Sequence, residues 1–176
     1  IETITGCMFS GKSEELIRQL RRAVIARQAV QIFKPRLDDR FDEEHIVTHT
    51  QVRLKSQAVL DADELRRQVA DDTEVVGVDE AQFFDQSLVD VATELAAQGR
   101  RVIVAGLDLD YRGEPFEPMP QLMAVSEYVS KQLAICMVCG DHAHFSQRLT
   151  SSRARIEVGA GETYEARCRR HFDRPE

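Results

Sequence analysis

Gly6-Cys7-Met8-Phe9-Ser10-Gly11-Lys12-Ser13 reads G-x-x-x-x-G-K-S, the pattern of a phosphate-binding loop, and its flanks decide the fold. Residues 1–5 read as the end of a strand and residues 14–29 as a helix, the context such a loop requires. Glycine permits the tight turn that aims successive main-chain N–H groups at a β-phosphate. The positive end of the following helix strengthens the field at the same point. Lys12 has the reach to meet the β- and γ-phosphates, and the Ser13 hydroxyl is of the type that ligates Mg²⁺. A chain with this loop handles a nucleoside triphosphate.

Outward from the loop, Leu16, Leu20, Ala23, Val24 and Ala26 recur near helical spacing, with Arg18, Arg21, Arg22 and Arg27 between them. Residues 30–34 form a short apolar run closed by Pro35 and read as a buried strand. Residues 36–57 are polar and without clear period, and connections of that length are usually functional. Residues 61–72 suit an amphipathic helix, 74–79 a strand, 87–98 a helix stopped by Gly99, and 101–106 another strand. This alternation predicts an α/β core with a mostly parallel sheet and crossover helices. Prolines and Gly113 interrupt the stretch after Asp108, and residues 120–127 suit a short helix. From Tyr128 onward, cysteine spacing and short strand-like runs replace the alternation. The expected organisation is a nucleotide-binding domain over residues 1–127 and a small C-terminal unit over residues 128–176.

At 176 residues, 43% hydrophobic and 30% charged, the chain has the make-up of one ordinary globular domain with room for a small appendage. A net charge of −7 argues against broad, sequence-independent binding to nucleic acid, which needs a cationic surface. No apolar run has the length of a membrane span, and no cationic-then-apolar leader is visible. The chain opens directly in a strand, so native residues before Ile1 are expected. A cytoplasmic location and reduced cysteines follow as the default.

Val75-Val76-Gly77-Val78-Asp79-Glu80 is an apolar strand ending in two carboxylates. Opposite a phosphate loop, such an aspartate holds Mg²⁺, usually through water. Glu80 then lies near the γ-phosphate, where an ionised carboxylate within hydrogen-bond reach could take a proton from an attacking hydroxyl or water. Asp38-Asp39-Arg40 follows the second strand. An acid beside an arginine is most often a surface ion pair. Ligands of open α/β sheets nevertheless bind at the strand ends such a loop leaves, and an arginine there could stabilise charge on a transferring phosphoryl group. Spacing alone leaves both readings open.

Cys136-x-x-Cys139 and Cys168-x-x-His171 are two chelating pairs. Together they complete a tetrahedral thiolate and imidazole set for a structural Zn²⁺ ion, one able to organise a segment too small to fold around its own core. A disulfide fits poorly with a reducing compartment. Cys7 lies within the loop and reads as a small packing group. Between the pairs, Ile156-Glu157-Val158-Gly159-Ala160-Gly161 bears glycines and Tyr164 follows. Such a segment could bind a planar ligand or be a plain surface turn. Two rival readings of the whole chain are an ATP-hydrolysing motor or switch and a zinc-ribbon nucleic-acid-binding module.

Together these residues resemble the cytosolic, zinc-containing (type II) thymidine kinases over nearly the whole chain. The motifs G-x-M-F-S-G-K-S at 6–13, K-P-x-x-D-x-R at 34–40 and D-E-A-Q-F-F at 79–84 recur in order. G-L-D at 106–108, P-F at 115–116 and the two metal pairs follow. The resemblance implies a recombinase-like P-loop NTPase core with a zinc-binding lasso domain. It implies ATP and Mg²⁺ as cofactors, thymidine as substrate, and commonly a homotetramer.

By this resemblance Glu80 takes the proton of the 5′-hydroxyl, Lys12 and Arg40 stabilise the γ-phosphoryl group, and Ser13 and Asp38 hold Mg²⁺ directly or through water. The residues implied to line the nucleotide are the eight of the loop, Asp38, Asp39 and Arg40, and Asp79, Glu80, Ala81 and Gln82. Met8, Phe83, Leu107, Tyr111 and Phe116 match the wall of the thymine pocket. Arg155, Ile156, Glu157, Val158, Gly159 and Tyr164 match the lasso segment, whose backbone reads the base edge. Three residues depart from the family pattern: Cys7 stands where proline is usual, Tyr111 where some relatives carry phenylalanine, and His171 where the fourth metal ligand is otherwise cysteine.

Overall fold

The computed structural model describes residues 1–36, 45–47, 53–151, 154 and 163–175. Its elements in chain order begin with β1 (Glu2–Gly6), α1 (Lys12–Ile25), β2 (Val30–Pro35), β3 (His45–Val47), β4 (Arg53–Lys55) and β5 (Gln57–Val59). They continue with α2 (Ala62–Gln68), β6 (Val75–Val78), a single 3₁₀ turn (Ala81–Phe83), α3 (Ser87–Ala97), β7 (Arg101–Gly106) and α4 (Met119–Val125). Strands β8 (Tyr128–Gln132), β9 (Ala134–Ile135), β10 (His142–Ala143), β11 (Phe145–Arg148) and β12 (Tyr164–Arg167) complete the order.

Six strands form one sheet in the order β5-β2-β6-β7-β1-β8, and every pair runs parallel. The two-residue period of a strand sends alternate side chains to opposite faces. Ile103 and Ala105 of β7 therefore pack with Ile4, Leu16, Ile17 and Leu20 on the α1 face. Val102 and Val104 pack with Leu65, Leu88, Leu95 and Leu122 on the face covered by α2, α3 and α4. Both faces are buried, as a parallel sheet with crossover helices requires.

Element ends differ from expectation for identifiable reasons. Helix α1 stops at Ile25 because Arg27 turns into the left-handed region at φ 61, with Gln28 N–H bonded to Ala23 O and Arg27 N–H to Val24 O. This is the Schellman closure, usually marked by glycine. Helix α2 is capped by the Asp61 carboxylate, which accepts from Glu64 N–H at 2.7 Å. It ends by residue 69, where the backbone becomes extended. The polar stretch expected as loop contains the β3–β4 hairpin and the edge strand β5, which pairs with β2 from Phe33↔Gln57 onward.

Strand β8, assigned from sequence to the C-terminal unit, pairs with β1 from Glu2↔Tyr128 to Gly6↔Gln132. The core sheet thus runs past residue 127. Beyond it, β9 pairs with β10 and β11 with β12, both antiparallel. Gly6 joins this region to the phosphate loop: a Cβ there would lie 2.3 Å from Gln132 O. Only glycine permits so close an approach together with its φ of 145°.

Candidate active site

The loop between β1 and α1 sits at the C-terminal end of the sheet, where ligands of open α/β folds bind. Helix α1 starts at Gly11 with no side chain capping its first turn, which leaves the orphan N–H groups of that turn to the loop. Lys12 Nζ donates to Cys7 O at 2.7 Å and Ser10 Oγ donates to the same carbonyl at 2.8 Å. Burial pushes the Lys12 ammonium below its ordinary range, and the carboxylate of Glu80 works against that shift. From behind, Met8 N–H donates to Ser146 Oγ at 3.0 Å, and Cys7 Sγ lies 3.5 Å from Ala143 O. Burial raises the Cys7 thiol above its usual value, in keeping with a neutral packing group.

Asp79 follows β6, and β7 alone separates β6 from β1. Ser13 Oγ reaches across to Asp79 Oδ1 at 3.4 Å. The same oxygen accepts the Glu80 N–H at 3.0 Å. Burial, and then the neighbouring Glu80 charge, push the Asp79 carboxyl up to about 7. A cation bound there would reverse that logic.

Glu80 occupies the left-handed region at φ 51, ψ 39 and opens the 3₁₀ turn. Such a backbone in a residue other than glycine is a mark of stored strain, which clusters at functional positions. Its Oε2 accepts from Gln82 Nε2 at 2.5 Å, while Gln82 Oε1 accepts the Leu107 N–H at 3.0 Å. Phe83 of the same turn meets Phe116 edge to face, with ring centroids 6.1 Å apart. Four of the expected site residues (Glu80, Phe83, Leu107 and Phe116) are thus tied together through one turn.

Tyr111 and Tyr164 are joined by a residue that sequence reading passed over, Arg148. Its guanidinium carbon lies 3.6 Å from the Tyr111 ring centroid. It donates to Tyr164 Oη from Nε at 3.1 Å and from Nη2 at 2.6 Å, and to Ala154 O from Nη1. Tyr164→Phe removes the acceptor of two charged, buried donors, a loss of about 1–3 kcal/mol. At about 2–4 °C of Tm per kcal/mol for a chain of this length, a melt several degrees lower is expected by scanning calorimetry. An unchanged Tm would show that the hydroxyl does not hold Arg148.

Cys136, Cys139, Cys168 and His171 bring one ligand atom each to within 4.8 Å of one another. The Sγ atoms of Cys139 and Cys168 are 3.8 Å apart, and His171 Nδ1 is 3.9 Å from Cys136 Sγ and 3.3 Å from Cys168 Sγ. Tetrahedral zinc with ordinary bond lengths asks for about 3.8 Å between sulfurs and about 3.6 Å between sulfur and nitrogen. The cysteines are free thiols, and a disulfide needs sulfurs about 2 Å apart. Burial raises the Cys136 thiol, but the N–H groups of Cys168, Val138 and Cys139 outweigh it and bring it down to about 6. The thiolate is the ligating form. The residues fit zinc.

Asp38, Asp39, Arg40 and the stretch Arg155, Ile156, Glu157, Val158 and Gly159 lie outside the described residues. Two further features were given no role by the sequence, although Asp108 ends the G-L-D motif. Ser146, on β11, reaches the phosphate loop. Buried Asp108 pairs with Lys131 Nζ at 2.5 Å, its other oxygen having no partner among the described residues.

A phosphate loop facing an Asp-Glu strand end, with a Cys₃His cluster behind it that could hold zinc, defines a P-loop nucleotide-dependent enzyme. The family model described as thymidine kinase matches residues 1–172. The chain is 58% identical over 175 residues to the thymidine kinase of Rhodothermus sp., covering 99% of this chain and 82% of that protein. It is 51% identical over 172 residues to that of Bdellovibrio bacteriovorus, covering 98% and 84%. The chain belongs to the thymidine kinase family, whose enzymes use ATP to phosphorylate thymidine to dTMP. The motor and nucleic-acid readings are not favoured. No helix among the described residues is long and apolar enough to cross a membrane.

Proposed function

We propose that the chain moves the γ-phosphoryl group of ATP in line onto the 5′-hydroxyl of thymidine, with Glu80 as the base. One observation carries this reading: the phosphate loop and the Asp79-Glu80 strand end converge, with Ser13 and Asp79 only 3.4 Å apart. The 5′-oxygen bonds to the γ-phosphorus as the bridge to the β-phosphate breaks, and Glu80 receives the hydroxyl proton. Lys12 turns from the Cys7 carbonyl to the transferring phosphate, and Arg40 neutralises charge on the same group. Ser13 and Asp38 would hold Mg²⁺ directly or through water, with Asp79 as a further carboxylate for the ion and Asp39 among the residues the resemblance assigns to the nucleotide. When bound, the ion neutralises the phosphate oxygens and orients them.

Met8, Phe83, Leu107, Tyr111 and Phe116 enclose thymine, and the main chain of Arg155–Gly159 reads its edge beside Tyr164. The Cys₃His set holds a structural Zn²⁺. The proposed division between the two units falls after Gln132, where the core sheet ends. A missing 5-methyl group costs only about 1–3 kcal/mol in an apolar pocket, so deoxyuridine is accepted as well. A homotetramer and a cytoplasmic location go with the family resemblance. The exposed apolar edge of β8, Tyr128 and Val129, supports self-association, which sedimentation would test.

Transfer of labelled γ-phosphate from ATP across a nucleoside panel tests the reaction. Labelled dTMP, with deoxyuridine as a weaker acceptor, is expected. Steady phosphate release without any nucleoside would overturn it.

The Asp79 carboxyl gives a pH signature. Its folded pKa lies near 7 against 3.8 for an ordinary aspartate. Between those values the folded chain keeps a proton that the unfolded chain has lost, so nucleotide-free stability falls as pH rises across this window. A bound cation needs the ionised form, so Mg·ADP binding at pH 6 should expel about one proton and tighten toward pH 8. Titration calorimetry in two buffers of different ionisation enthalpy reads that proton. Asp79→Asn should abolish it, and a buffer-independent heat in the parent protein would contradict the assignment.

A further inference from the structure

The scheme above gives the side chain of Gln82 no task, although it is only 2% exposed and bonded at both ends of its amide. Its amide spans two groups of the site, donating from Nε2 to Glu80 Oε2 at 2.5 Å and accepting the Leu107 N–H on Oε1 at 3.0 Å. The orientation of that amide is fixed chemically, because the opposite one would face two donors at Leu107 and two acceptors at Glu80. Both ends of the amide are thus bonded to groups of the protein, one to the Glu80 carboxylate and one to the main chain of the pocket wall.

We propose that Gln82 is a positioning residue: it locks the Glu80 carboxylate in the direction of the acceptor hydroxyl and ties it to the pocket wall at Leu107. This rests on the reading of Glu80 as the base. Three constraints then act on one residue. Glu80 is held at its N–H by Asp79, at its backbone by the left-handed turn, and at its carboxylate by Gln82. A glutamate side chain otherwise loses orientation through its rotatable bonds, and a misplacement of about 1 Å costs on the order of 10²-fold in rate.

The amide needs room, and the fold supplies it at Gly106. A Cβ there would lie 2.9 Å from Gln82 Oε1 and 2.7 Å from Met119 Sδ. Residue choice is equally restricted. Asparagine is one methylene too short to span both partners, methionine has no donor and only a weakly accepting sulfur, and glutamate would set a second carboxylate against Glu80.

A double-mutant cycle tests the idea. Gln82→Met should lower kcat by about 10²-fold while leaving thymidine KM within about threefold and Mg·ADP affinity unchanged. In the Glu80→Gln background the same change should cost nothing further, since the group it positions is gone. Gln82→Glu keeps the shape and the Leu107 acceptor. It should show the same dependence on Glu80, and it decides the matter on that criterion alone if Gln82→Met does not fold. An equal loss of kcat in both backgrounds, or a rise in KM with kcat intact, overturns the proposal. Near-native turnover of Glu80→Gln alone would instead overturn the base assignment, so the two failures are distinguishable.

Discussion

Glu80→Gln is expected to lower turnover by about 10²–10⁴-fold, the usual contribution of a positioned general base. The change preserves shape, and the new amide carbonyl can still accept from Gln82 Nε2. Neither the left-handed turn nor the Asp79 contact to its N–H depends on the carboxylate. Affinity for Mg·ATP should therefore stay close to that of the parent, because in the proposed scheme the loop and Lys12 carry most of the binding to the phosphates. Rapid-quench turnover and calorimetric titration on the same preparation separate the two quantities. Near-native turnover would remove Glu80 from the role, and a parallel collapse of nucleotide affinity would point to a folding defect.

Removing zinc is expected to unfold the C-terminal unit and loosen the phosphate loop with it. The only buried cluster of that unit among the described residues is Cys7, Ala134, Cys136, Ala143, Ala166 and Cys168. It is far too small to offset the chain entropy of two short hairpins. Two of its members belong to the Cys₃His set and a third is the loop residue Cys7. A structural zinc site contributes about 10–16 kcal/mol of binding free energy to such a segment, so chelation removes what holds it. The loop then loses Ser146 behind Met8 and Ala143 behind Cys7. At about 1 kcal/mol for each such contact, Mg·ADP affinity should fall about tenfold or more. Hydrogen exchange after chelation, or in Cys168→Ala, should show lost protection over residues 133–148 and 163–172. Unchanged exchange with unchanged nucleotide affinity would contradict a structural metal.

Much of this was legible in the sequence because it rests on local chemistry. A phosphate loop needs glycines and Lys12 at fixed offsets, and a metal set needs short spacing between its paired ligands. The parallel sheet followed from the alternation of apolar runs and helical periods. What stayed hidden depends on partners distant along the chain. Strand β5 is three residues long and becomes a strand only by lying against β2. Strand β8 follows a proline-rich stretch and alternates weakly, yet it pairs with β1 residue by residue. The end of α1 carries Arg27 where glycine would have announced it. Arg148 and Ser146 act through partners 16 and 138 positions away, and Gln82, named in the D-E-A-Q-F-F motif, has its tie to Leu107 25 positions away; no window of sequence reports such contacts.

The most direct test is a crystal structure with thymidine, Mg²⁺ and a non-hydrolysable ATP analogue. The account predicts the β-phosphate within hydrogen-bond distance of the main-chain N–H groups of residues 8–13. It also predicts a Glu80 oxygen about 3 Å from the thymidine 5′-oxygen, in line with the γ-phosphorus. A triphosphate bound away from this loop, or Glu80 turned away from the 5′-oxygen, would contradict it.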